Sequence, residues 1–310
     1  MLTKRTGNMS ILRGSSSDAL DYASSVTSRS SIMSSHMSSH LTNISSIHIR
    51  PFQGVTQLRK ALDTLYDAIK RGSSSMEYLA IQRVNQSALE DIDNKLNRHV
   101  KICYFQEEEL LIIKYMPSAA HEFTAREIHN RIREKILLMG TARNELVSFG
   151  SCRYHGAHSS KEADEAFVPR FVRNKEDDWP TLVIEVGRSE SLSQLRQDVR
   201  WWLIESKGDV KIALLVSIKK ASSILLIEKW ELGAASLDRS GPLIRSAAIN
   251  SIGEPEVVQS VEVTSTETMG DSLVLEFNKL FLRAAIPPET DLIFADQELE
   301  VMAAGLLSLK

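Results

Sequence analysis

Two carboxylates carry most of the chemistry this chain can suggest. Asp164 lies in Lys161-Glu162-Ala163-Asp164-Glu165-Ala166-Phe167, and Glu185 interrupts the apolar run Thr181-Leu182-Val183-Ile184-Glu185-Val186. If the strands bearing them pair, both side chains can meet near the end of a sheet. Two hard oxygen ligands a few Å apart suit Mg²⁺ or Mn²⁺, and the ion cancels a repulsion that would otherwise raise one pKa. Such an ion could polarise a scissile phosphate and activate water. The competing reading is a salt bridge from Glu185 to Arg188 or Arg196, since an unpaired carboxylate among Leu182, Val183 and Ile184 is costly. Simple exposure at a strand end is the third.

The neighbouring acids are weaker candidates. Alternation along a strand puts Glu162 on the face of Asp164 and turns Glu165 away. Glu127 and Glu134 could add a third carboxylate from the preceding helix, although helices commonly display such charges to solvent. His121, near that helix start, is a candidate for contacting substrate or for ordering the loop. Glu107, Glu108 and Glu109 read as a solvated turn between two strands.

The elements that must position these groups are legible from periodicity. Leu110 to Tyr115 is a strand, and Pro117 ends it. A helix follows from about Ala119 to Met139, with Gly140 as its C-cap. Strands are expected over Leu146–Phe149, 163–169, 181–186, 210–218 and 224–230. Residues 191–206 form a helix with Leu192, Leu195, Val199, Trp202 and Leu203 on one stripe. This order predicts an α/β core, bordering on α+β, in which a mixed sheet is flanked by helices. Trp202 belongs to the core stripe, and Trp201 reads as packing before base stacking.

Around residues 100–230 the chain resembles the restriction-endonuclease-like PD-(D/E)XK nucleases, near their uncharacterised bacterial and fungal branch. The resemblance rests on the segments around Asp164 and Glu185, on Ser189-Glu190-Ser191-Leu192, on Asp198-Val199-Arg200-Trp201-Trp202-Leu203, and on Met116-Pro117-Ser118 followed by His121. It implies a nuclease-type fold in which Asp164 and Glu185 hold Mg²⁺ or Mn²⁺ and DNA is hydrolysed. Two positions depart from the pattern. Ala163 stands where the family has proline. Gly187 stands where it has a lysine that orients water and stabilises developing negative charge. Arg196, with Arg200 one turn on, and Lys211 are the cationic substitutes the sequence offers. Arginine is a poor general base because it stays protonated. The alternative to a nuclease is a protein that kept the fold for binding nucleic acid or a protein partner after losing the lysine.

The rest of the chain bounds these readings. It has 310 residues, 43% hydrophobic and 25% charged, with 37 basic against 40 acidic residues and a net charge of -3. That is enough apolar material for a substantial core, and too little excess charge for a polybasic nucleic-acid coat. No run is long and apolar enough to cross a bilayer, so no membrane association is expected. Two cysteines, Cys103 and Cys152, build neither a disulfide framework nor a zinc knuckle. No glycine-rich phosphate loop occurs.

Four segments are expected. Residues 1–46 are a tail in which serine makes up roughly a third, a composition that favours disorder. Residues 47–99 are a helical extension, 100–230 the nuclease-like core, and 231–310 an extension that completes or covers it. The tail's basic residues only faintly suggest a mitochondrial leader, so nucleus or cytoplasm is expected. A homodimer is a reasonable arrangement for an enzyme spanning a duplex.

Overall fold

The computed structural model describes residues 49–71, 73, 78–96, 100–115, 119–188, 192–219, 222–234 and 253–308. The serine-rich segment 1–46, Pro117, the 189–191 loop and Lys220 lie outside the described residues, as does the side chain of Arg188. The chain is mixed α/β, with two large mixed sheets flanked by helices.

The first sheet grows from the β3–β4 hairpin, β3 (Val100–Phe105) and β4 (Leu110–Tyr115). It turns at the three glutamates, with Glu109 at φ 47°. β2 (Tyr78–Gln82) flanks β4 antiparallel, and β1 (Ile49–Pro51) runs parallel beyond it. β7 (Ser159–Glu162) and β6 (Arg153–His155) extend the other side, giving the order β1-β2-β4-β3-β7-β6. α1 (Val55–Lys70) and α2 (Gln86–Lys95) cover one face. There Leu58, Leu62, Leu89 and Ile92 pack on Leu79, Ile81, Ile102, Tyr104, Leu111 and Ile113. α2 starts where the Asn85 side chain accepts from the Ala88 N–H at 2.9 Å, satisfying one of the free donors of its first turn.

The second sheet has the order β13-β12-β11-β10-β9-β8-β5. Its centre is β9 (Leu182–Arg188), parallel to β10 (Ile212–Lys219) and antiparallel to β8 (Glu165–Pro169). β11 (Ile224–Leu232), β12 (Pro255–Val263) and β13 (Thr268–Gly270) extend one edge, and β5 (Leu146–Ser148) forms the other. The near-continuous apolar character of β9 suits burial on both faces. Leu182, Ile184 and Val186 meet Ile128 and Ile132 of α3 (Ala119–Leu138). Val183 packs with Leu195, Val199 and Trp202 of α4 (Leu192–Glu205) on the opposite face. β14 (Leu273–Leu275), α5 (Phe277–Phe281), β15 (Leu292–Phe294) and α6 (Asp296–Leu307) complete the α3 side, where Phe277, Phe281 and Leu299 join the same core.

Two sequence expectations change. The extension expected to be helical over 47–99 is helical only in part, because β2 precedes α2 and takes an inner place in the first sheet. Tyr78, Leu79, Ala80 and Ile81 are all buried, and two-faced burial favours a strand over the helical spacing of the same residues. The 47–99 segment therefore shares a sheet with the expected core, and Ile44–Lys310 forms one compact unit. The strand expected over 163–169 is shorter, because the chain leaves the first sheet after Glu162 and enters the second at Glu165. Strand alternation does not carry across Ala163-Asp164.

Candidate functional site

That crossing point places Asp164. β8 and β9 pair with Glu165 opposite Ile184, so one further step of the antiparallel register sets Asp164 opposite Glu185. The first sheet contributes from across the interior. Lys114, on β4, and Lys161, on β7, point away from the α1/α2 face. The Lys114 ammonium lies 2.8 Å from Asp164 Oδ2 and 3.1 Å from Glu185 Oε2. One lysine thus binds both carboxylates, whose side chains are each 1% exposed.

Each carboxylate has further partners. Asp164 Oδ2 accepts from the Val186 N–H at 2.8 Å. His121 Nε2, from the first turn of α3, lies 3.1 Å from the same oxygen and 3.0 Å from the Val186 carbonyl. Both are acceptors, so the Nε2 hydrogen faces them. Glu185 Oε1 accepts from the Trp202 indole at 2.7 Å. Asp164 Oδ1 is buried and accepts no hydrogen bond from the described residues.

A second lysine extends the cluster. Lys161 Nζ is 2.7 Å from Asp198 Oδ1 and 3.9 Å from Glu185 Oε1. The Tyr78 hydroxyl donates to Asp198 Oδ2 at 3.0 Å. Counting carboxylates and ammoniums alone, three acids meet two lysines, all of them buried. Burial pushes Glu185 above the usual carboxylate range against the opposing pull of Lys114 and Lys161. Burial would raise Asp164 too, but Lys114 and His121 outweigh it and hold that carboxyl well below its ordinary value. Burial would lower Lys114 and Lys161, yet Asp164 and Glu185 hold the first above its usual range and Asp198 and Glu185 hold the second there. The neighbouring Cys103 thiol is pushed up to about 12, chiefly by burial, and is inert as a nucleophile. Cys103 and Cys152 are both free.

The other sequence candidates are engaged elsewhere. Arg196 donates through Nε to Glu228 Oε2 at 3.1 Å, and Lys211 Nζ donates to the Gly208 carbonyl at 2.6 Å. No described contact joins either to Asp164 or Glu185. The expectation that one of them supplies the cation at the pair is corrected by Lys114, which stands there instead. The salt bridge anticipated for Glu185 exists, but to lysines and not to Arg196. Glu162 does not share the surroundings of Asp164, because the chain changes sheets between them; Arg153 lies 3.0 Å away from it. Glu165 instead meets His129 at 3.2 Å, with Ser148 also bonded to it. Glu127 pairs with Arg131 at 2.8 Å, and Glu134 is exposed. Trp201 is 4% exposed and donates to Ser159 Oγ at 2.9 Å, a packing role.

Lys114, Lys161, Asp198 and Tyr78 escaped the sequence reading. A signal existed for Lys114, which interrupts the apolar run Leu110–Ile113 as Glu185 interrupts its own. Gly187 also acquires a reason. A Cβ built there would lie 2.7 Å from Leu195 Cδ1, so the space a side chain at 187 would need is filled by a buried leucine. Gly187→Lys is therefore expected to lower stability by about 1–3 kcal/mol through overpacking. Urea denaturation of the variant beside wild type checks it, and an unchanged midpoint would refute it.

A divalent ion fits this donor set on one observation, the buried and unpartnered Oδ1 of Asp164. The surplus of acid over ammonium has the same sense. No group of three His, Cys, Asp or Glu side chains among the described residues could hold a metal. Mg²⁺, however, commonly takes one or two carboxylates and keeps several waters.

No protein-family model matches the chain, and no curated protein matches it. Among solved structures, it is similar to a protein belonging to DUF820 from Anabaena variabilis ATCC 29413, provisionally described as a nuclease. The two share 13% identity at a TM-score of 0.35, over 53% of this chain and 93% of that one.

Proposed function

We propose that this chain is a divalent-metal-dependent phosphodiesterase of the PD-(D/E)XK kind that hydrolyses DNA. Asp164 and Glu185 would hold Mg²⁺ or Mn²⁺, and Lys114 would supply the positive group that Gly187 cannot. The observation that carries the reading is the single buried ammonium shared by two carboxylates from adjacent strands. When bound, the ion would supply Lewis-acid polarisation of a phosphoryl oxygen and an activated water near neutral pH. The protein's own groups do the positioning. The Val186 N–H and His121 hold Asp164, Trp202 holds Glu185, and Lys114 would neutralise phosphate charge. Arg196 and Lys211 take no part.

A supercoiled-plasmid and oligonucleotide cleavage assay in Mg²⁺ and in Mn²⁺ tests this. The wild-type chain is expected to cut, and Glu185→Ala to lose several kcal/mol of transition-state stabilisation, on the order of 10²–10³-fold in rate. Equal rates would defeat the role of Glu185.

The closed state of the carboxylates, each with a 1% exposed side chain and paired to lysine, favours a second reading. In it the fold is kept for nucleic-acid binding alone. A wild-type chain that retains oligonucleotides but leaves them intact in both metals would select that reading.

A further inference from the structure

Lys161 sits between two carboxylates and is shared unequally. It is 2.7 Å from Asp198 Oδ1 but 3.9 Å from Glu185 Oε1. Both acids and the lysine are buried, so each ammonium can strongly favour one partner over another. Asp198 is itself held from two elements. The Tyr78 hydroxyl on β2 bonds its Oδ2, and Gln194, one turn earlier on α4, approaches Oδ1 at 3.5 Å. β7, which carries Lys161, is tied by its pairing with β3. Asp198 makes no described hydrogen bond or ion pair with Asp164 or Glu185, and its described ion pair in the site is with Lys161.

We propose that Asp198 is a positioning residue that draws Lys161 away from Glu185 and so keeps that carboxylate available to a divalent ion. The proposal rests on the metal reading above and deepens it by dividing the two lysines. Lys114 neutralises the carboxylate pair directly. Lys161 is held farther from it, at 3.9 Å, by its closer bond to Asp198 at 2.7 Å. Loss of the Asp198 charge would release Lys161 toward Glu185, which would then be claimed by two ammoniums and compete poorly for metal. Loss of Lys161 as well would remove that competition.

Mn²⁺ alone is the probe, with binding to the full chain followed by the electron-paramagnetic-resonance signal of free Mn²⁺ and by calorimetry. Asp198→Asn is expected to raise the Kd about tenfold, the lower end of the effect of removing an outer partner of a metal site. Lys161→Met is expected to bind at least as tightly as wild type, and the double variant to return to the wild-type value. That rescue is what a merely structural Asp198 would not give. A folded Asp198→Asn with unchanged Kd overturns the proposal, as does a double variant as weak as the single one. If Asp198→Asn does not fold, Lys161→Met decides, and weaker binding than wild type overturns the proposal. Glu185→Ala separates the two levels. Wild type binding no better than Glu185→Ala defeats the metal reading and this inference together, whereas wild type binding well without the Asp198 effect defeats this inference alone.

Discussion

Lys114→Met is expected to lower the free energy of unfolding by about 3–5 kcal/mol, the cost of removing one partner from a buried ion pair. Methionine nearly matches lysine in length, so little of the loss comes from a cavity. Asp164 and Glu185 would remain opposite each other without the ammonium that lies 2.8 and 3.1 Å from them. Against a total of about 5–15 kcal/mol for a typical domain, this is a large fraction, and urea denaturation would read it directly. The loss should depend on pH. Burial already raises Glu185 above its ordinary value, and without Lys114 the shift grows. A carboxyl raised in the folded state binds more protons folded than unfolded, so stability falls as pH rises through the folded pKa. The defect is therefore largest near neutral pH and shrinks as pH falls toward the ordinary glutamate value of 4.5. A defect that is flat with pH, or an unchanged urea midpoint, would show that Lys114 is not the counter-ion of the pair. Under the phosphodiesterase reading the same variant also loses cleavage at a pH where it remains folded.

The second large effect is expected at Trp202. Its indole donates to Glu185 Oε1 at 2.7 Å, and its ring meets Trp201 edge-on at a centroid distance of 4.9 Å and Tyr154 at 5.5 Å. Trp202→Phe removes a hydrogen bond to a buried charged group, worth about 1.5–3 kcal/mol, and leaves part of a 0%-exposed ring volume empty. A total near 2–4 kcal/mol is expected, since both losses act at one site. Trp201→Phe is the control. It leaves a comparable gap in a buried ring cluster, but the bond it breaks, to Ser159 Oγ, is neutral and worth about 0.5–1.5 kcal/mol. Chemical denaturation of the two variants side by side should rank Trp202 well above Trp201. Equal losses would mean that ring packing, not the hold on Glu185, sets the value of Trp202.

Both predictions turn on partners that local pattern cannot name. The apolar run of β9 with one acid inside it marks Glu185 as needing a partner, because an unpaired buried charge is costly wherever it sits. The same logic marks Lys114, beside Leu110–Ile113, as needing a partner, without saying which. Lys161 and Asp198 offer no such signal. Lys161 stands in a charged stretch that resembles a solvated strand end, and Asp198 lies on a helix whose other polar residues include exposed positions. The Glu162 and Glu165 expectations differ from the structure for another reason. Period-two alternation holds only inside one strand, and the chain changes sheets at Ala163-Asp164.

Local order in the sequence determined where most helices and strands lie and which face of β9 and α4 each apolar side chain takes. Those properties depend on neighbours within a few residues, through helix and strand periodicity. The tertiary structure alone decided that β2 is a strand and that the counter-ion of Asp164 and Glu185 comes from β4, 50 and 71 residues earlier. It also decided that Arg196 and Lys211 turn elsewhere. Charge attraction in a dry interior acts across space between groups on different sheets. Its partners are chosen by how those sheets face each other, which no single segment encodes.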